Sequence, residues 1–592
     1  MITDFENSYR LSDNLFREAK VIIERSKAAE MIDDFHDQHR GTGGQNCNGI
    51  AYTISAVLVA ALGLLMLGRT PTYKAIQQAI GDLTSRQLAE VGMAGQDTSR
   101  IFADRAEQRR ERTRFVAWLN RRLAPLDPSP DQPARRITNA EHRRIIAHRS
   151  TEQRAASLEA AERLRTVINR IVFGSIIDPK PQDAVGDIVA EETIFDLAGP
   201  SAGLGIRSDK HRAAAYFGSY YSRDKHSTTV HQDASGGGKR GFGIGLTAVI
   251  RIGPPDQLHA VAPVIIGMDV HPPTSGSTDG LAVAITHAKR NGLDTRRAGR
   301  ARLPRLTVDM GYNPKKGFAR LMLDQQYTAV VRYPQHWTLT DTSANPPGTT
   351  ADTPPGPIQF AGSFYCPAAA ELLAQHHMPK TRDLLKDDGW EAHDRRLAGV
   401  LPFLMGLNSR PRLSRPRGRP PLGVEPRFDV KVEQVCPAVQ LRVRCPLKPA
   451  SMTRAAFGAP TATPTWHAGD RQCCAQSIVT VTLTPSQLSK AQWGPVGGSW
   501  EHTLYFEAAR ARTEQTFSIL KSAHVTKLVD LKWGPRREPM VKLLLALAVA
   551  STNHRIQKTY RSRRAREESI DVRWRQLRHH LGHEPAKTPP LT

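Results

Sequence analysis

The spacing of hydrophobic positions changes several times along the chain. Leu15, Ala19, Ile22 and Ile23 recur at helical spacing inside an otherwise polar stretch over residues 1–48. The next segment, GIAYTISAVLVAALGLLMLG (49–68), is nearly uncharged and as long as a membrane span. Tyr52, Thr53 and Ser55 interrupt its apolar character and no partner span follows, so a helix buried on all sides is expected rather than a membrane anchor. PTYKAIQQAIGDLTSRQLAEVG (71–92) predicts two short amphipathic helices split at Gly81-Asp82, with Thr84 or Ser85 as N-cap. A helix-turn-helix can be drawn across them. RAEQRRERTRFVAWLNRRLAPLDPSP reads as a basic helix closed by prolines.

Near residue 185 the period shortens. GDIVAEETIFDLAG, GFGIGLTAVIRIG and LHAVAPVIIGMDV predict three strands rich in β-branched residues. TSGSTDGLAVAITHAKRNGL follows as a helix ending at Gly292, then RLTVDMGY as a strand, KKGFARLMLDQQ as a helix and YTAVVRYP as a strand. The order β-β-β-α-β-α-β requires strand–helix–strand crossovers, which favour a parallel pair inside a mixed sheet. Residues 336–500 read as an inserted, partly β region: prolines cluster at 346–357 and 411–426, between strand-like RFDVKVEQV, VQLRVRC and SIVTVTLT. Helices return at YFEAARARTEQTFSILKSAH and MVKLLLALAVASTNHRI, and the basic tail is expected to end in a frayed, proline-containing segment. Five segments result: helical 1–180, with a possible DNA-binding role; α/β 181–335; inserted 336–500; helical 501–556; and a basic tail 557–592.

Composition adds a partner. The 592 residues hold 82 Lys+Arg against 57 Asp+Glu, a net charge of +25. A surplus of that size favours a polyanion, because neutralising phosphates releases counterions irrespective of base sequence. Hydrophobic residues at 40% are enough for packed cores. The first residues are mixed in charge, unlike a secretory signal, and six cysteines are too few for a disulfide scaffold, so a reducing cytoplasm is expected. The cysteines do not read as a zinc site: Cys436-x8-Cys445 is looser than zinc pairs, and Cys473-Cys474 are adjacent. Buried reduced thiols are the expectation, Cys366 included.

Two places carry candidate chemistry. Asp309 ends the apolar run Leu306-Thr307-Val308, and Gly311 permits a turn. A strand end is where ligand crevices open, although a strand-end Asp also serves as a turn residue. Arg510, Glu514 and Lys521, four and seven residues apart, share one helical face. Such a stripe suits a carboxylate that binds metal between cations that hold phosphates, and it equally suits a surface ion-pair ladder.

The spacing Arg510-x3-Glu514-x6-Lys521 resembles the R-E-K core of the Y-R-E-K signature in DDE transposases of bacterial insertion sequences. TVDMGY resembles their second-Asp motif, and SILKSAHVTKLVDLKWGPRREPMVKLLLALAVASTNHRI resembles their closing helices. The resemblance covers about residues 185–335 and 500–556. It implies an RNase H-like catalytic core, divalent-metal-dependent cleavage of transposon ends with strand transfer, Mg²⁺ or Mn²⁺ as cofactor, and double-stranded DNA (terminal inverted repeats and target) as partner. It also implies a homodimer on DNA, in the bacterial cytoplasm with the nucleoid. Metal ligands would be a first-strand carboxylate, Asp309 and Glu514, with Arg510 and Lys521 on phosphates. Two positions depart from the pattern. Glu507 stands where the signature has Tyr, with Tyr505 two residues earlier. The first-strand motif reads Ala190-Glu191-Glu192-Thr193, so Glu191 falls where Asp is expected, with Asp187, Glu192 and Asp196 as alternatives. A catalytically decayed, DNA-binding descendant of a transposase is the second reading.

Overall fold

The structure is a computed structural model. It describes residues 9–39, 49–199, 211–223, 239–255, 257–296, 303–312, 315, 317–333, 340–341, 356–374, 389–409, 411–414, 429–483, 485–522, 524–562 and 570–590. The fold is mixed α/β, and the chain forms two compact units. One comprises Met1–Gly253, His259–Arg297 and Arg512–Arg566; the other comprises Pro254–Leu258, Ala298–Ala511 and Glu567–Thr592. The basic run 415–428, most of the proline cluster at 346–357, and Cys47 lie outside the described residues.

In the first unit, the apolar segment is the helix Ile54–Met66, capped by the Thr53 side chain, which accepts from the Ala56 N–H. Every residue from Ala56 to Leu65 is buried. At 13 residues and 1.5 Å each it is about 20 Å long, short of the roughly 30 Å of a bilayer core. No described helix is long and apolar enough to cross a membrane. Its neighbours are the helices Asp13–Ser26 and Glu538–Ser562, both of which also pack with Thr151–Gly174. Gly174 is required there: a Cβ would stand 2.4 Å from the Ile22 carbonyl oxygen. The helix-turn-helix segment becomes helices Tyr73–Gly81 and Ser85–Glu90, the second opened by a Thr84–Gln87 capping box. With only six residues, that second helix is too short to lie along a major groove as a recognition helix does.

The three predicted strands form the first unit's sheet. Lys239–Arg251 pairs antiparallel with Ile188–Asp196, with Ile265–His271 and with a shorter strand, Ser219–Arg223. Helix Ser277–Arg290 packs on this sheet, and Gly292, with φ +69°, ends it. The strand Ile265–His271 has one strand partner among the described residues. Two carboxamides occupy its outer edge. Asn553 accepts from the Ile265 N–H and donates to the Ile265 carbonyl, both at 2.8 Å, and Asn169 does the same for Met268 at 2.9 Å.

In the second unit, Arg305–Val308 and Thr328–Val330 form the expected parallel pair, connected through helix Phe318–Gln325. The inserted region builds two small antiparallel sheets. One joins Thr340–Asp341, Ile358–Phe360 and Ser363–Tyr365; the other centres on Asp429–Val435, paired with Gly406–Leu407, Arg412–Ser414 and Ile478–Thr482.

Two expectations fail here. VQLRVRC is not a strand: it forms turns, and Leu441 adopts φ +60°, a left-handed conformation no strand accommodates. The end of the tail is not frayed. Helix Ile570–Leu581 leads into a segment where the Ala586 N–H donates to Asp394 at 2.8 Å and Thr588 donates twice to Glu501, at 2.9 and 3.0 Å.

Candidate active-site residues

Asp309 directly follows the strand Arg305–Val308, where the chain turns: the Tyr312 N–H donates to its carbonyl at 3.0 Å and the Met310 N–H to its carboxylate at 2.8 Å. Arg510 reaches it from the helix Trp500–Leu520, with Nη1 2.6 Å from Asp309 Oδ1. The carboxylate is 38% exposed and the guanidinium 16%. A pair this open to water adds at most about 1 kcal/mol to folding, so its main effect is to fix where the carboxylate points.

The same helix carries the rest of the motif. Its residues up to Ala511 belong to the second unit and those from Arg512 to the first. Glu514 is exposed, on the helical face of Arg510 one turn on. Lys521, just past the helix end, donates to the Ile194 carbonyl and lies 4.8 Å from the Phe195 ring centroid. Lys521 is thus anchored on the strand Ile188–Asp196.

That strand separates the four carboxylate candidates. Glu192 accepts from the Thr274 N–H at 2.8 Å and from the Ser277 hydroxyl, tying down the start of helix Ser277–Arg290. Its strand partner Thr247 contacts His271 Nε2 at 2.7 Å, so this face carries a connected polar cluster. Asp196 accepts from the Tyr221 hydroxyl at 2.6 Å. Asp187 is buried, at 2% exposure. Glu191 is half-buried and points to the other face, shared with Phe195 and therefore with Lys521.

The signature-tyrosine position, Glu507, lies on the helical face of Arg510, and the substitute Tyr505 does not. Glu507 pairs with Arg332. Tyr505 is buried, with the Arg305 guanidinium 5.1 Å from its ring. Five residues before Arg510 places it about 140° around the helix from that side chain.

Among the described residues, no group of three or more His, Cys, Asp or Glu side chains stands in metal-coordinating geometry. The sequence also carries a signal outside the carboxylates: three of the cysteines precede proline, as Cys366-Pro367, Cys436-Pro437 and Cys445-Pro446. The sequence matches no protein-family model and no curated protein.

Proposed function

We propose that this chain is a DDE-type DNA transposase that cleaves transposon ends and transfers the strands. The reading rests on one observation: the strand-end Asp309 is ion-paired to Arg510, the first residue of the R-E-K spacing, across a long sequence separation. Glu191, Asp309 and Glu514 would hold Mg²⁺ or Mn²⁺; all three offer oxygen donors open to solvent, the donor chemistry these ions prefer. The bound ions would supply activation of a water or 3′-hydroxyl and stabilisation of the leaving 3′-oxygen. Arg510 orients the Asp309 carboxylate and, with Lys521, presents positive charge to phosphates near the cleavage point. The net charge of +25 supports sequence-independent affinity for double-stranded DNA, both inverted repeats and target. A homodimer would pair the two ends. One observation favours the decayed, DNA-binding alternative: Glu191 is one methylene longer than the expected Asp, and displacing a reacting group by about 1 Å can cost on the order of 100-fold in rate.

The deciding assay is strand cleavage of DNA carrying the repeats that flank the gene, with and without Mg²⁺ or Mn²⁺. Wild type should cut only with metal, and Asp309→Ala, Glu514→Ala and Glu191→Gln should each lose about 100-fold or more. Tight binding of the ends by wild type without any cutting would favour the decayed reading. Cleavage that survives Asp309→Ala would overturn the assignment of that residue.

A further inference from the structure

The five described cysteines, Cys366, Cys436, Cys445, Cys473 and Cys474, are all buried and all reduced. They come from four separate places in the second unit. Cys366 follows the strand Ser363–Tyr365, Cys436 follows Asp429–Val435, Cys445 lies in the turns beyond it, and Cys473 and Cys474 precede Ile478–Thr482. The fold nevertheless gathers them. The Cys366 N–H donates to the Phe403 carbonyl at 2.9 Å, Gly406 pairs with Val435 beside Cys436, the Cys436 N–H donates to the Ser477 carbonyl at 3.1 Å, and Lys448 Nζ reaches the Gln476 carbonyl at 3.3 Å. Four buried thiols from both small sheets therefore lie on segments that the backbone holds together.

The backbone around them repeats. At Cys366, Cys436 and Cys445 the chain reads Cys-Pro-x-x and makes the same turn. The N–H three residues on donates to the cysteine carbonyl: Ala369 to Cys366 and Val439 to Cys436 at 3.0 Å, Lys448 to Cys445 at 2.9 Å. Proline fixes φ and contributes no N–H of its own, so the N–H groups after it turn back toward the sulfur. Backbone N–H groups close to the sulfurs are those of Ala368 at Cys366, Ala438 and Val439 at Cys436, and Leu447 and Lys448 at Cys445. The Cys474 sulfur accepts from the Trp466 indole N–H at 3.4 Å. Each of the four sulfurs thus has at least one N–H aimed at it, which favours sulfur as an anion. Lys448 and Arg471 add positive charge beside Cys474.

From this geometry we infer that Cys366, Cys436, Cys445 and Cys474 form a structural zinc site, closing as a tetrahedral tetrathiolate that staples the two small sheets of the inserted region together. This reverses the expectation from spacing, which weighed the cysteines pair by pair along the chain and so missed ligands supplied singly by four turns. Among the described residues no three of these sulfurs stand in metal-coordinating geometry. The proposed closure is a rotation of the cysteine side chains between staggered χ1 wells, which moves the sulfurs while the backbone stays in place. Cys473 lies beside Cys474 as its hydrogen-bond donor and is left as the spare thiol. The proposal is independent of any DNA chemistry.

The test is the metal content of the full-length chain purified without chelator, followed by exchange into Co²⁺. The expected result is about one zinc per chain and, with cobalt, the intense sulfur-to-metal charge-transfer bands of a tetrahedral thiolate site. Cys436→Ser and Cys445→Ser should each lose most of the zinc, while Cys47→Ser should keep it. A wild-type chain with negligible zinc and no cobalt–thiolate bands would overturn the proposal, even if the serine variants fail to fold. Full zinc retention in a folded Cys436→Ser, Cys445→Ser double variant would overturn it as well.

Discussion

The two compact units fill their interiors by different means. The first packs long helices, up to the 25 residues of Glu538–Ser562, around an apolar helix with no exposed side. The second, within its described residues, has no strand longer than the seven of Asp429–Val435, and single polar acceptors tie several of its segments beside a smaller apolar core. Trp500 is one such contact. It is fully buried, stacks on Trp390 at 5.3 Å and donates its indole N–H to Asp394 at 2.8 Å. Apolar burial spread over many side chains tolerates the loss of any one polar group. A region tied by single acceptors does not, because removing one leaves buried donors without a partner.

The sharpest test of that contrast is a cavity in the first unit. Leu62→Ala, at a position with no exposure, should cost about 3–4 kcal/mol in chemical denaturation and lower the transition of the first unit alone. A loss below about 1 kcal/mol would mean that this core collapses around the gap and is less tightly packed than described. Next in size is Asp394→Ala, which strands the Trp500 indole N–H and the Ala586 N–H together. About 2 kcal/mol should be lost from the second unit, with faster proteolysis after Leu581. An equal loss from both units would erase the distinction. The third effect is absent near neutral pH and grows with acid. Burial depresses the His502 imidazole to about 4 from its ordinary 6.5, with Nε2 3.0 Å from the Val331 carbonyl oxygen. The unfolded chain binds that proton first as pH falls. Stability of the second unit should therefore decline between pH 6.5 and 4, by at most about 1.4 kcal/mol per pH unit, and His502→Gln should flatten that slope.

Where local pattern decides structure, the sequence was readable. Ile188–Asp196, Arg305–Val308 and Ile478–Thr482 are strands because their β-branched runs are bounded by turn residues, and Ile54–Met66 is a buried helix because nothing on it is charged. VQLRVRC was misread because its apolar alternation imitates a strand. The Cys-Pro turns at its two ends and the left-handed Leu441 are backbone effects that alternation does not register. The tail was misread because Asp394 and Glu501, which hold it, are distant in sequence. The candidate site was legible in part. Helical spacing and a strand-end position single out Arg510 and Asp309, but only tertiary partners separate Glu191 from its neighbours. Glu192 is committed to Thr274 and Ser277, and Asp196 to Tyr221.

The carboxamides of Asn169 and Asn553 reach beyond stability. Open strand edges recruit strands from other molecules. With the N–H and C=O of Ile265 and Met268 already taken, the Ile265–His271 edge offers little to an incoming strand. Extension of the sheet by a second molecule is therefore disfavoured at this edge. Substituting both asparagines with alanine would convert a closed border into an adhesive one.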